Sequence, residues 1–180
     1  MRISDSNVKS KVFFSVLFVV GFFFSASFMP YAARDFSAAN ISAIPDLLLA
    51  LSIVCGIVYE NRKAVSVIAL VAGALTDIFI TPPIHLSPIL FFLAAYFASK
   101  TASVFVNVNA ATVAVSAIPF CLFRAVTGSI YIMSENSGLK LGTALKTTIL
   151  PEFALNIVTV FFVYIVVKYL YKWFKRRFYI

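Results

Sequence analysis

The chain has 180 residues, 62% of them hydrophobic and only 12% charged. A soluble domain of this size covers its surface with polar side chains, and this sequence has too few of them. A net charge of +8 would suggest a nucleic-acid partner in a soluble protein, but here the cations flank long apolar runs, which points to an integral membrane protein.

A hydrocarbon core ~30 Å thick takes ~20 helical residues, within a range of ~17–25. Six such spans are predicted, at 12–29, 44–59, 64–80, 84–99, 103–123 and 149–170. The runs are continuously apolar rather than alternating, which argues against barrel strands. The expected fold is therefore an all-α integral membrane protein, a compact bundle of six transmembrane helices forming one domain, with no separate soluble domain.

Along the chain, Lys9 and Lys11 precede the first apolar run, and Tyr31-Ala-Ala33 resembles a signal-peptidase site. The run reaches Met29 and is packed with Phe, longer than a signal-peptide core, so an uncleaved first helix is expected. Glu60-Asn-Arg-Lys63 reads as a four-residue polar turn, Thr81-Pro-Pro83 as a proline corner and Lys100-Thr-Ala102 as the next reversal. Only 30–43 and 124–148 are long enough to form extramembrane structure. Small residues recur at helical spacing in Ala69/Gly73, Ala94/Ala98 and Ala110/Ala114, where backbones can approach closely. Cys55 and Cys121 fall at different depths and read as small packing residues, not a disulfide.

Charge orients the bundle. With the N-terminus inside, the cytoplasmic segments hold Arg2, Lys9, Lys11, Arg62, Lys63, Lys100, Lys168, Lys172, Lys175, Arg176 and Arg177. The other side keeps Arg34, Arg124, Lys140 and Lys146, a bias that fits an even number of spans with both termini cytoplasmic. The basic, aromatic tail Lys172–Tyr179 suits an anionic lipid surface.

The residues that carry most information are polar groups at membrane depth, which cost a few kcal/mol unless they have a partner or a task. Chain direction puts Asp46, Asp77, Arg124, Glu152 and His85 near the outer face. Asp77 with Arg124 is the expected ion pair, either locking helices three and five or taking part in binding another protein. Asn156 lies one turn below Glu152 on the same helix face, placed to line a polar pocket or meet a partner helix. Asn107 and Asn109 read as interfacial hydrogen-bonding groups. Asp46, Gly73, Asp77, Arg124, Glu152 and Asn156 are thus the structural or partner-binding candidates.

Catalysis finds no support. One histidine excludes a His-based metal cluster and H-E-x-x-H. No Gly-x-Ser-x-Gly or glycine-rich phosphate loop occurs, and Ser87 beside His85 at a proline corner makes no nucleophile–base pair. Ion conduction would want charges spread along a pore, and these gather at one end. A non-enzymatic protein with no metal, no cofactor and no nucleic-acid partner is expected.

Several short motifs resemble the MreD family of small multi-pass membrane proteins from the bacterial rod-shape system. They are Pro45-Asp46-Leu-Leu-Leu, Asn61-Arg62-Lys63, Gly73-Ala-Leu-Thr-Asp77 and Pro151-Glu-Phe-Ala-Leu-Asn156, supported by length, span number and the basic C-terminus. Where the family tends to carry a glycine after the aspartate-bearing helix, this chain reads Thr81-Pro-Pro-Ile-His85. The resemblance implies a scaffold in the bacterial cytoplasmic membrane beside MreC. It would couple the actin-like MreB to the glycosyltransferase RodA and a class B penicillin-binding transpeptidase, without performing chemistry. The membrane helix of MreC would meet small or polar residues such as Ala69, Gly73 or Asn156. The family also resembles the six-helix substrate-binding component of energy-coupling-factor vitamin transporters, the alternative reading. Against that alternative, the first helix is rich in Phe and Val and lacks the Ala-x-x-x-Ala pattern expected for docking a coupling subunit.

Overall fold

A computed structural model describes residues 8–38, 45–59, 61–79, 86–105, 109–135 and 141–178. They form α1 (Val8–Ala38), α2 (Leu47–Val58), α3 (Arg62–Phe79), α4 (Ser87–Val104), α5 (Ala110–Glu135), α6 (Leu141–Ala144) and α7 (Leu150–Phe178). A π-helical turn, Leu145–Ile149, carries α6 into α7 with helical backbone at both junctions. The result is six rods, as the apolar runs predict.

Short polar side chains set where helices begin. The carboxylate of Asp46 accepts the Leu49 amide at 3.0 Å, Asn61 accepts that of Ala64 at 3.0 Å, and Asn109 accepts that of Thr112 at 3.1 Å. Each satisfies a first-turn amide that has no intrahelical acceptor. Asn109 is thus a cap, in keeping with its predicted hydrogen-bonding role; Asn107 lies outside the described residues. Pro88 in the first turn of α4 needs no amide there.

Several boundaries differ from expectation. The predicted reversal at Lys100–Ala102 lies inside α4, because the Thr101 hydroxyl bonds back to the Phe97 carbonyl and nothing there stops a helix. α5 starts at its Asn109 cap and continues through Arg124 to Glu135, so the expected extramembrane stretch 124–148 is largely helical. Its polar residues do not oblige it to end, since Thr127 and Ser129 return their hydroxyls to carbonyls of the preceding turn. α1 likewise runs past Met29 to Ala38. The proline corner at 81–83 and His85 lie outside the described residues.

The second predicted span, 44–59, is matched closely by α2, but its surroundings are distinctive. α2 has 12 residues, about 18 Å of helix, too short for a hydrocarbon core of ~30 Å. Every residue from Leu48 to Val58 is buried. α2 packs against α1, α3, α4, α5 and α7, which follow one another around it in the order α1, α3, α4, α5, α7. Continuous hydrophobicity here marks a helix enclosed by protein rather than one facing lipid. Among the described residues, three segments are long and apolar enough to cross a bilayer: Ser87–Val104, Ala110–Ile130 and Gly142–Phe174.

Two glycines let backbones meet. A Cβ at Gly56 would overlap the Ala95 carbonyl, and one at Gly73 would lie 2.6 Å from the Pro88 Cα, so α2 and α3 both press on α4. Ala69, Ala94 and Ala98 are fully buried, as the small-residue spacing suggests. Ala110 is exposed, and its pair with Ala114 marks no such contact. Outward faces are apolar, with Val16 and Phe23 of α1, Val67 of α3, Ile89 of α4, Ile118 of α5 and Phe162 of α7 exposed. An apolar exterior over a partly polar interior is the arrangement lipid favours.

Where α7 returns to α1, the ring is joined by aromatic contacts. Phe13 meets Phe174 at 5.0 Å and Tyr171 at 5.8 Å between ring centroids, and Phe14 meets Tyr59 at 4.7 Å. The start of α1, the end of α2 and the end of α7 therefore share one end of the bundle, the terminal end.

Candidate functional site

The N-terminus of α2 finishes inside the bundle, away from the terminal end, and polar groups from three elements converge on it. Asp46 stands at the centre. Its Oδ1 caps α2 through the Leu49 amide, and its Oδ2 lies 3.2 Å from Nε of Arg124 on α5. Its own backbone N–H donates to Oδ1 of Asn156 on α7 at 2.7 Å. Pro45 before it has no amide to satisfy. A carboxylate at a helix N-terminus also gains from the helix dipole, so α2 and Arg124 stabilise the same charge.

The two flanking helices contribute in register. Arg124 and Gly128 are one turn apart on α5, while Glu152 and Asn156 are one turn apart on α7. Gly128 makes room for the acid: a Cβ there would lie 3.1 Å from Oε2 and 3.4 Å from Oε1 of Glu152. Glu152 is buried in the first turn of α7, just after the π-helical turn. Asn156 is 1% exposed, and its Nδ2 has no hydrogen-bond partner among the described residues. The side chains of Arg124 and Asp46 are 25% and 11% exposed, so the ion pair sits at the margin of the interior.

Sequence reasoning brought the right residues to one region but paired them wrongly. Arg124 binds Asp46, not Asp77. The reason is topological, because α3 packs on α4, α2 and α1, and α2 comes between it and the arginine on α5. Asp77 is buried one turn beyond Gly73 on α3, past the point where Gly73 meets the first residues of α4. Gly73 meets α4, Asn156 faces α2 and Ala69 is fully buried, so none of the three is a lipid-facing contact for a partner helix. Ser87 is buried at the same α3–α4 crossing, where its carbonyl meets Gly73. Gly56 and Gly128 were missed; the signal for Gly128 was the matched four-residue spacing of Arg124/Gly128 and Glu152/Asn156.

Chemically the cluster is a clamp. It fixes one short helix to two long ones through an ion pair, a cap and a side chain–backbone bond, and no nucleophile–base pair is assembled in it. Among the described residues, no group of three His, Cys, Asp or Glu side chains could hold a metal ion.

The profile of the family described as rod shape-determining protein MreD matches residues 8–174, nearly the whole chain. No curated protein and no solved structure matches it. The chain belongs to the MreD family, which gives it a role in rod-shape determination as a structural membrane protein.

Proposed function

We propose that this chain is a non-enzymatic scaffold of the bacterial cell-elongation complex, linking MreC, MreB, RodA and a class B penicillin-binding transpeptidase. The observation that carries the reading is the family match over residues 8–174. The geometry supports it. Asp46 engages both Arg124 and Asn156, and Glu152 is buried near them, so the cluster serves to hold helices together. Partner helices would then meet the outward apolar faces, where close packing rather than charge drives association.

The scaffold is a multi-pass protein of the cytoplasmic membrane. Contact between Phe13 and Phe174 gathers the start of α1 and the end of α7 at one end, in keeping with an even number of rods that alternate in direction. The surplus of Lys and Arg on that side supports reading it as the cytoplasmic one.

Depletion in a rod-shaped bacterium tests the function. Cells should round and swell as the protein is lost. Normal rods after complete loss, in a genome with no related copy, would refute the proposal. So would intact shape combined with lost uptake of one vitamin-sized solute, the behaviour of the transporter component.

A further inference from the structure

The outward face of α7 changes character along its length. Val158, Phe162 and Ile165 are exposed on it and apolar, as a lipid-facing surface is. From Lys168 onward the face becomes cationic and amphipathic. Lys168, Lys172 and Arg176 are exposed at four-residue intervals, about 6 Å apart along the axis, and Tyr169 and Trp173 are exposed beside them. None of the three cations makes an ion pair among the described residues; Lys168 instead lies 5.8 Å from the Tyr164 ring centroid.

The opposite side of the same turns is anchored. Tyr171 is buried, and Phe174 packs on Phe13, so this end of α7 is held against α1 and α2. α7 is also long: 29 residues give about 44 Å of helix against a hydrocarbon core of ~30 Å. Its last turns therefore rise past the hydrocarbon into the head-group layer.

We infer that Lys168, Lys172 and Arg176 form a binding stripe for anionic phospholipid head groups of the leaflet at the terminal end, with Tyr169 and Trp173 set at its interface. Two observations favour lipid over an acidic protein. The stripe continues the lipid-facing line of α7 without a break, so whatever fills it lies in the bilayer plane. The interleaved Tyr and Trp are the residues that settle at head-group depth. An uncompensated cation close to an anionic surface favours association by about fivefold. The inference stands apart from the scaffold reading.

Trp173 is the only tryptophan in the chain, so its fluorescence reports on this site alone. The full chain would be reconstituted in phosphatidylcholine–phosphatidylglycerol bilayers, with one or the other lipid brominated to quench tryptophan. Brominated phosphatidylglycerol should quench more strongly than brominated phosphatidylcholine at equal mole fraction, with a relative association constant of at least about three. The preference should fall toward one in 0.5 M salt and in the Lys168→Gln/Lys172→Gln/Arg176→Gln variant, while Lys146→Gln in the π-helical turn leaves it intact. A wild-type ratio of one, or an unchanged ratio in the triple variant, overturns the inference. Should that variant fail to fold, the salt dependence of the wild-type ratio decides.

Discussion

Arg124 on α5 reaches across the bundle to Asp46 at the N-terminus of α2, Nε to Oδ2 at 3.2 Å, and so ties the mouth of a buried helix to a lipid-facing one. One carboxylate thereby serves as helix cap and as ion-pair partner, and the two roles are separable by mutation.

Asp46→Asn keeps a capping oxygen but loses the charge, whereas Asp46→Ala loses both. Breaking a buried pair costs ~3–5 kcal/mol; with Arg124 a quarter exposed, about 2–3 kcal/mol is expected for Asn. Ala should cost about 1 kcal/mol more through the lost cap. Thermal unfolding of the purified protein would measure both. A double-mutant cycle should give a coupling above ~1 kcal/mol for Asp46 with Arg124 and near zero for Asp77 with Arg124. The reverse order would restore the pairing expected from sequence.

Asn156→Ala removes the acceptor that holds the Asp46 backbone N–H at 2.7 Å. An orphaned buried amide costs ~1–3 kcal/mol. Asn156→Asp retains an acceptor but places a third carboxylate beside Asp46 and Glu152, so it should destabilise more than Ala at neutral pH. A melting temperature for Asp at or above that of Ala would contradict the geometry.

Glycines separate packing from propensity. Gly56→Ala and Gly73→Ala drive a methyl into the backbone of α4 and should each cost at least ~1–3 kcal/mol. Gly142→Ala meets nothing within 4 Å and should be neutral or stabilising by up to ~1 kcal/mol. Equal effects at all three sites would refute the close approach of α2 and α3 to α4.

Topology follows from the shared end of α1 and α7 and from the charge bias. A reporter fused after Ile180 should be cytoplasmic and one inserted at Asn136 extracytoplasmic. Labelling of Asn136→Cys from the cytoplasmic side alone would invert the arrangement.

The polar cluster was legible as membership but not as pairing. Depth along each helix follows from chain direction, which places Asp46, Asp77, Arg124, Glu152 and His85 near one face with Asn156 a turn below Glu152. Neighbour relations depend on which helix stands at the centre, and apolar runs alone do not reveal that. α2 reads like any other span because a helix enclosed by protein and one facing lipid are equally hydrophobic. Its length was the available clue: the caps at Asp46 and Asn61 enclose a segment too short for a full bilayer crossing, of which 12 residues are helical. The end of α5 is not legible in the sequence because a charged residue reads as a boundary, whereas Arg124 stays in the helix with its partner supplied by Asp46 at the start of α2.

The central position of α2 also constrains how the protein is made. The ribosome delivers this segment second, but much of what covers it comes from α4, α5 and α7, and its first amide waits for Asn156, far along the chain. Until then a helix of about 18 Å cannot rest stably across the bilayer by itself. The enclosure of α2 is therefore complete only once α7 is in place, and closure by α7 is expected to be the committing step of assembly. A chain truncated before Leu141 should insert its early helices yet stay sensitive to membrane proteases, and supplying 141–180 as a separate polypeptide should rescue it.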